Sequence, residues 1–143
     1  MPNRTSLARK KSLYLNKVPN KGYGVFCRED IKKGEILEVT PAIILNDKDQ
    51  SHVAKTFLDN YVFQIGAISR KMKQWCKIKK TENSAAVVMG ILSFCNHSEE
   101  PNAEIIFEEK KDLLFYMLRT TRAIPKNVEI CTTYGKGWFD DRK

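Results

Sequence analysis

The chain has 143 residues, which fits one domain with a buried core, and 42% of them are hydrophobic while 29% are charged. No apolar run approaches the roughly 18 residues of a membrane span, and residues 1–21 lack the apolar core of a secretory signal, so we expect a soluble, intracellular protein without a membrane partner. The formal net charge is +8 and is spread unevenly along the chain.

Short strands dominate the predicted elements, so the expected fold class is mainly β with few short helices. The strand-like stretches are rich in β-branched or aromatic residues and are, in chain order, Gly24 to Phe26, Ile36 to Val39, Ile43 to Leu45, Ile105 to Phe107, Leu113 to Arg119 and Glu129 to Tyr134. One helix is predicted within Phe57 to Ile65, and a second, buried helix is predicted from Ser84 as its N-cap to Leu92. The polar residues 109–112 predict the turn of a hairpin.

Two segments of the chain resemble each other. Residues 30–36 and 123–130 each contain an isoleucine, then a basic turn, then the start of a strand. Gly34 and Asn127 occupy the turn positions, and both residue types tolerate a positive φ. We therefore expect two similar turns that lead into two strands of one compact β fold.

Basic residues form two clusters without acidic neighbours. The first cluster consists of Arg4, Arg9, Lys10, Lys11, Lys17 and Lys21, and the second consists of Arg70, Lys71, Lys73, Lys77, Lys79 and Lys80. Such clusters suit a polyanion, for example nucleic acid or a nucleosome, but clusters of this size also arise for solubility. Composition alone leaves both explanations open.

The four cysteines, Cys27, Cys76, Cys95 and Cys131, lie far apart in the sequence. No Cys-x-x-Cys pair is present, so the spacing typical of a zinc knuckle is missing. We expect free thiols that are mostly buried.

The stretch Phe94 to Asn102 (FCNHSEEPN) combines several groups that can carry chemistry. Cys95, His97 and Glu99 are too few ligands for zinc, and His52 is the other histidine of the chain. A Cys95 and His97 dyad is disfavoured because residues i and i+2 of an extended strand diverge. A rigid polar turn is the third alternative, and the residues alone do not decide whether such a turn binds a ligand or is purely structural.

Three stretches, in this order, resemble the motifs of SET-domain protein lysine methyltransferases. Gly22 to Phe26 resembles the first motif of that family, Phe94 to Asn102 resembles its Asn-His-Ser motif, and Glu129 to Gly135 resembles its last motif. Asp59 to Phe63 is similar to a less specific Tyr-x-Phe element, so the resemblance covers nearly the entire chain. In length the chain looks like the minimal, stand-alone SET proteins of viruses and bacteria. We expect it in the cytoplasm or the nucleus, and in the host nucleus if it comes from a virus or an intracellular bacterium.

The resemblance implies a SET-domain fold of small curved β-sheets with a C-terminal pseudoknot. In that fold the first and last thirds of the chain meet at one pocket for S-adenosylmethionine, and the substrate lysine enters from the other face. Residues 1–20 are then expected to form a basic N-terminal extension. Residues 21–143 are expected to form a single SET domain, with an insert at about 46–84 and a short C-terminal segment from 135.

The same resemblance implies a protein-lysine N-methyltransferase that acts on a histone or another basic protein. It implies that the cofactor is bound by Gly22, Tyr23, Gly24, Asn96, His97 and Tyr134. Tyr134 would also be the catalytic residue, orienting the amine and the methyl group, while Tyr61, Trp138 and Phe139 would line the lysine channel. Deprotonation of a lysine at pH 7.4 costs roughly 4 kcal/mol, and an apolar channel beside a sulfonium lowers that cost.

The chain departs from the family pattern in ways that affect its partners. Glu99 stands where many members carry a zinc-binding cysteine, and no cysteine follows Cys131, so no metal is expected. Val128 and Thr133 replace acidic residues common in the family, and its arginine before the Asn-His pair is absent. The basic cluster at 70–80 falls in the substrate-selecting insert, so we expect it to meet an acidic surface near the target lysine.

Two further hypotheses about partners follow from the resemblance. Some minimal family members pair to complete a surface, so a homodimer is allowed. A catalytically inactive SET-like module could instead bind a nucleosome or nucleic acid through the basic clusters. The presence together of Asn96, His97 and Tyr134 argues against the inactive module.

Overall fold

The computed structural model describes residues 5–65, 84–110 and 113–133 of the chain. Within these residues the strands are, in chain order, β1 (Ala8–Arg9), β2 (Leu13–Val18), β3 (Gly22–Cys27), β4 (Ile36–Leu45), β5 (Phe63–Ile65), β6 (Ser84–Val88), β7 (Asn96–His97), β8 (Ala103–Lys110), β9 (Leu113–Thr120) and β10 (Cys131–Thr132). The helical elements of the same residues are α1 (Asp47–Val53) and two 3-10 helices, η1 (Phe57–Tyr61) and η2 (Ile91–Phe94). None of these helices is long and apolar enough to cross a membrane.

The strands form one larger sheet and two small pairs. The larger sheet has the order β5-β6-β4-β9-β8, with β1 beside β4, and all of its pairs are antiparallel. β2 and β3 form an antiparallel hairpin, whereas β7 and β10 pair in parallel. The predicted mainly β class is therefore confirmed.

The strands β8 and β9 form the predicted hairpin. Lys110 pairs with Leu113, so residues 109 and 110, expected in the turn, are instead the last residues of β8. In β9 the buried positions alternate along the strand, as a sheet with one covered face requires. Both strand predictions in this region are confirmed.

The long strand β4 replaces two predicted strands, Ile36 to Val39 and Ile43 to Leu45. Pro41 lies in the gap between these two stretches, and proline cannot donate a backbone hydrogen bond to a neighbouring strand. The Pro41 carbonyl accepts a hydrogen bond from Met89 N at 3.0 Å. Along this edge of β4, Pro41 lies between the residues that pair with β1 and those that pair with β6, so neither pairing needs a backbone N–H from position 41. The strand therefore continues through the proline.

The predicted helix from Ser84 to Leu92 is wrong. Residues 84–88 form β6, which lies between β4 and β5, and η2 starts only after Gly90. An apolar segment is typical of a buried helix and of a strand enclosed by two others, and here the long-range pairing decides. The helix predicted within Phe57 to Ile65 is confirmed only as η1, since Phe63 to Ile65 is the edge strand β5.

The N-terminal residues pair with later strands of the chain. β1 lies along β4, β2 along β3, and Leu13 belongs to the hydrophobic core. The largest fully buried apolar side chains come from the main sheet, from η2 and from the connecting segments that include the last motif. They are Ile31, Leu37, Ile65, Leu92, Leu114, Leu118, Ile124 and Ile130. The predicted limits of the N-terminal extension, insert and C-terminal segment stay predictions, and residues 66–83 of the insert lie outside the described residues.

Candidate active site

The first, Asn-His-Ser and last motifs meet at Gly24 in the middle of β3. A Cβ added to Gly24 would lie 2.9 Å from Val18 Cγ2 and 3.1 Å from Asn96 Nδ2, and would clash with the carboxylate of Glu129. A real Cβ essentially never lies within 3.0 Å of another atom, so a larger residue at position 24 would force the side chains of Glu129 and Val18 to shift. The three motifs therefore pack closely around the bare backbone of Gly24.

The amide of Asn96 connects β3 to the last motif. Its Nδ2 donates to Glu129 Oε2 at 2.6 Å and, at 3.3 Å, to the backbone carbonyl of Tyr23. Val25 and Ile130 form an antiparallel bridge, in which Ile130 N donates to Val25 O at 2.8 Å. Both amide hydrogens of Asn96 are thus directed into the protein, which fixes the orientation of its side chain.

The side chain of Asn102 holds β10 in place. Its Nδ2 donates to the Glu129 carbonyl at 2.9 Å, and its Oδ1 accepts from Cys131 N at 2.8 Å. The backbone adds two more bonds, from Asn102 N to Cys131 O at 3.1 Å and from Ser98 N to Thr132 O at 2.9 Å. The Asn102 amide therefore acts like a peptide group of an additional strand, and it locks the parallel pair β7 and β10.

A buried carboxylate anchors the helix that precedes Asn96. Glu38 is 1% exposed and accepts from Leu92 N at 2.8 Å and from Ile91 N at 3.0 Å. These two amides are at the N-terminus of η2, where backbone donors have no partner within the helix. Glu38 thereby caps η2, and η2 leads through Cys95 directly into the Asn-His-Ser motif.

Tyr61 lies next to the same motif. Its ring is 5.2 Å from the ring of Phe94 and 5.7 Å from that of Phe57, which is largely exposed. A row of aromatic rings thus runs from solvent to the residue that precedes Cys95. On the other side of the motif, His97 Nε2 is 3.4 Å from Glu99 Oε1.

The thiols near the site are poor nucleophiles. Burial raises the pKa of the Cys95 thiol far above its ordinary value, so this thiol stays protonated at neutral pH. Burial, followed by the nearby Glu129 carboxylate, raises the pKa of Cys131 to about 11. Within the described part of the chain, Cys27, Cys95 and Cys131 are free, and no group of three or more His, Cys, Asp or Glu side chains is placed to hold a metal ion.

Among the described residues, the structure brings Tyr23, Gly24 and Asn96 of the predicted site together. Gly22, Tyr23 and Gly24 lie on β3, while Asn96 and His97 form β7. Tyr134, Trp138 and Phe139 lie outside the described residues, as do Cys76 and the second basic cluster, so those predictions stay predictions. Of the first cluster, Arg9 and Lys10 form ion pairs with Glu38 and Glu35, which reduces the charge available to a polyanion.

Three residues of this region received no role from the sequence. Glu129 and Asn102 stood inside quoted motifs, but their partners lie 27 to 33 positions away and cannot be read from spacing. Glu38 lies in a strand and offered no pattern at all. A buried carboxylate is uncommon unless it is paired, yet burial itself is a tertiary property.

These features define a mainly β protein in which the first, central and last motifs of the chain build one polar site. A family model described as SET domain matches residues 22–135, and the chain belongs to this family. The expected SET fold of small curved sheets is thereby confirmed, and the β7 and β10 pair is the contact at which the last motif joins the Asn-His-Ser motif.

Solved structures share this fold. A candidate histone methyltransferase of Plasmodium falciparum aligns with a TM-score of 0.64 and 24% identity over 91% of this chain and 98% of that chain. The Neurospora SET-domain protein DIM-5, a histone lysine methyltransferase, aligns with a TM-score of 0.63 and 20% identity over 87% of this chain and 52% of that chain. At these identities the likeness concerns the fold alone. A comparison with curated protein sequences gave no match.

Proposed function

We propose that this chain is a protein-lysine N-methyltransferase that transfers a methyl group from S-adenosylmethionine to a lysine of a histone or another basic protein. The observation that carries the proposal is the meeting of Gly24, Asn96 and Glu129, which joins the first, Asn-His-Ser and last motifs. Membership of the SET family and the fold shared with DIM-5 support it.

The surroundings of Gly22 fit S-adenosylmethionine. Gly22 has a φ of 78°, and no atom lies within 4 Å of the position that a Cβ would take, so its backbone is accessible to a ligand. Tyr23, the next residue, is 47% exposed. The depression beside these residues is lined by Lys17, Val18, Pro19, Asn20 and Gly22. The ammonium group of Lys17 can donate hydrogen bonds to a ligand carboxylate, and the backbone of Gly22 offers a donor and an acceptor to a ligand's other polar groups.

The described residues would bind and orient the cofactor. When bound, S-adenosylmethionine would supply a methyl group that its sulfonium activates for transfer. Asn96 Nδ2 donates to Tyr23 O and to Glu129 Oε2, so the orientation of its side-chain carbonyl oxygen is fixed, and this oxygen would be the acceptor that Asn96 offers to the cofactor. A fixed acceptor reduces the conformational entropy lost on binding. His97 follows on the same short strand and would contribute its backbone and ring.

Lysine chemistry at this site requires a neutral amine. Tyr134 follows β10 in the sequence and is proposed to orient the amine in line with the methyl group through its hydroxyl. An ordinary tyrosine pKa of about 10 makes it a poor base at neutral pH, so we assign it orientation rather than proton removal. Tyr61, next to Phe94, would line the lysine channel together with Trp138 and Phe139.

The test is methyl transfer by the full chain. The protein is incubated with methyl-labelled S-adenosylmethionine and either core histones or a cell lysate, and labelled lysines are located by mass spectrometry. We expect lysine labelling by the wild type and its loss in Tyr134→Phe. Tyr14→Phe is the matched control, because it removes a hydroxyl whose exposed hydrogen bond to Asn127 Oδ1, at 2.8 Å, involves none of the residues proposed to bind the cofactor or the lysine. Absence of lysine labelling by the wild type in both mixtures, or equal labelling by Tyr134→Phe, would contradict the proposal.

A further inference from the structure

We infer that Arg9, which lies before the matched SET region, is a positioning residue for the Asn-His-Ser motif and acts on that motif through Glu38. The inference rests on the proposed function, since it concerns the binding of S-adenosylmethionine by the Asn-His-Ser motif. It assigns a role at the site to a residue of the N-terminal segment, whose basic character otherwise suggests contact with a polyanion.

The first step is the shared carboxylate. Glu38 Oε2 accepts from Arg9 Nε at 2.9 Å and from Ile91 N at 3.0 Å, while Oε1 accepts from Leu92 N at 2.8 Å. One buried carboxylate therefore connects the N-terminal strand with the first turn of η2. Charge-assisted hydrogen bonds of this kind are stronger than neutral ones.

The second step is the origin of the arginine. Arg9 and Glu38 are Cα partners in the β1 and β4 pair, and Lys10 N donates to Leu37 O at 2.9 Å directly beside them. The Arg9 side chain is 57% exposed, whereas that of Glu38 is 1% exposed. The positively charged guanidinium of Arg9 thus contacts the Glu38 carboxylate from the solvent side, and the pairing of β1 with β4 fixes the position of Arg9 opposite Glu38.

The third step is the close packing around the carboxylate. A Cβ added to Gly90 would lie 2.8 Å from both carboxylate oxygens of Glu38 and 2.7 Å from Thr40 Cγ2. The carboxylate therefore has little room to move toward η2 on that side. A change in its position is passed to Ile91 and Leu92, and from there through Cys95 to Asn96 and His97.

The consequence is that Arg9 affects cofactor binding without touching the cofactor. Loss of the guanidinium leaves a buried carboxylate with fewer donors, so the carboxylate rotates toward water and loosens the η2 amides. Since the Arg9 side chain is partly exposed, the effect on binding is expected to be moderate, about fivefold.

The experiment compares the full-length wild type with Arg9→Gln, Arg9→Lys and Lys11→Gln. S-adenosylhomocysteine binding is measured by calorimetry, and the backbone amide resonances of Ile91, Leu92 and Asn96 are recorded by NMR without ligand. We expect Arg9→Gln to raise the Kd about fivefold and to shift the Ile91 and Leu92 resonances, and Arg9→Lys to restore most of both. Lys11→Gln, an equal charge change at an exposed neighbour, should match the wild type.

A second variant perturbs the same carboxylate from its other side. Gly90→Ala pushes on the Glu38 carboxylate from the η2 side while Arg9 is intact, so it should shift the same two amide resonances and weaken binding as well. Wild-type Kd values and unchanged Ile91 and Leu92 resonances in Arg9→Gln would overturn the inference and leave the proposed function intact. Failure of the wild type to bind S-adenosylhomocysteine would overturn the proposed function itself.

Discussion

Ile31 and Ile124 are hydrogen-bonded to each other across an isolated antiparallel bridge. Ile31 N donates to Ile124 O at 2.8 Å, and Ile124 N donates to Ile31 O at 2.9 Å. They are the isoleucines of the two segments that resemble each other in sequence. Gly34 and Asn127, at the corresponding turn positions, have φ values of 80° and 64°. The expected pair of similar turns is confirmed, and the two segments also contact each other.

Gly34→Ala should lower the free energy of unfolding by about 1 kcal/mol, because the alanine must adopt a left-handed conformation. No atom lies within 4 Å of the added Cβ, so the loss reflects backbone conformation and not a clash. Urea denaturation measures the difference, with Lys33→Ala at the exposed preceding position as the control. Equal stability of Gly34→Ala and the control would show that the backbone there is not constrained.

Replacement of Asn102 should separate its two hydrogen bonds. Asn102→Ala loses both and should lower the free energy of unfolding by roughly 2 kcal/mol. Asn102→Asp keeps the acceptor for Cys131 N but loses the donor to the Glu129 carbonyl. Hydrogen exchange of the Cys131 amide should therefore accelerate strongly in Asn102→Ala and little in Asn102→Asp. Asn16→Ala, at an exposed strand position, is the control, and identical exchange in both Asn102 variants is the contrary result.

Glu129→Gln should weaken the binding of S-adenosylhomocysteine by about fivefold, because the amide replaces a charge-assisted hydrogen bond to Asn96 and presents an NH₂ group toward Gly24. The Kd is measured by calorimetry. Glu108→Gln, an exposed position on β8, provides the same charge change as a control. An unchanged Kd in Glu129→Gln would mean that Asn96 needs no carboxylate partner.

Alkylation tests whether Cys95 and Cys131 are unreactive thiols, as their raised pKa values predict, or reactive nucleophiles. With a pKa of about 11, Cys131 is thiolate to only about 0.1% at pH 8, and Cys95 has a still higher pKa because it is buried. Iodoacetamide at pH 8 should therefore leave both unmodified in the folded protein, as peptide mapping would show, and label both in urea. Rapid labelling of native Cys95 with loss of activity would instead support a cysteine nucleophile.

The Lys10 and Glu35 ion pair should make stability depend on pH. A hydrogen bond of 2.7 Å between them lowers the pKa of Glu35 and raises that of Lys10. The contribution, roughly 0.5 kcal/mol for a partly exposed pair, is thus present above the unfolded pKa of glutamate and is lost as the pH falls through the folded pKa of Glu35. It is also lost at alkaline pH, as Lys10 deprotonates above its ordinary pKa.

Urea denaturation of the wild type and Lys10→Gln from pH 7 down to pH 3 tests this pH dependence. The difference in free energy of unfolding should shrink in acid, whereas Lys11→Gln should stay close to the wild type throughout. A Lys10→Gln deficit that does not change with pH would indicate that the lysine stabilises the fold by packing rather than by charge.

The sequence was informative where local chemistry is decisive. The aromatic and apolar residues of Leu113 to Arg119 predict β9, and the turn chemistry of Gly34 and Asn127 predicts their positive φ values. The resemblance of the motifs predicts that Gly24 and Asn96 belong to one site, and the two residues lie close together in the structure. Each of these follows from a few neighbouring residues or from a motif.

The remaining contacts could not be predicted because their partners are distant. Whether Ser84 to Val88 is a strand depends on β4 and β5, and an apolar segment fits a buried helix equally well. The pairing of Arg9 with Glu38 spans 29 residues and depends on the β1 register. Neither feature leaves a local pattern. The catalytic role of Tyr134 remains a prediction from the motif.

The contact of Gly24, Asn96 and Glu129 affects when during synthesis the site can form. A ribosome releases the chain from its N-terminus, so Gly24 and Asn96 emerge well before Glu129 is available. Until the last motif pairs with β7, an early domain would have its main sheet but no complete site. Premature termination before residue 129 should therefore yield a chain that can form the main sheet but lacks the contact on which the proposed cofactor site depends.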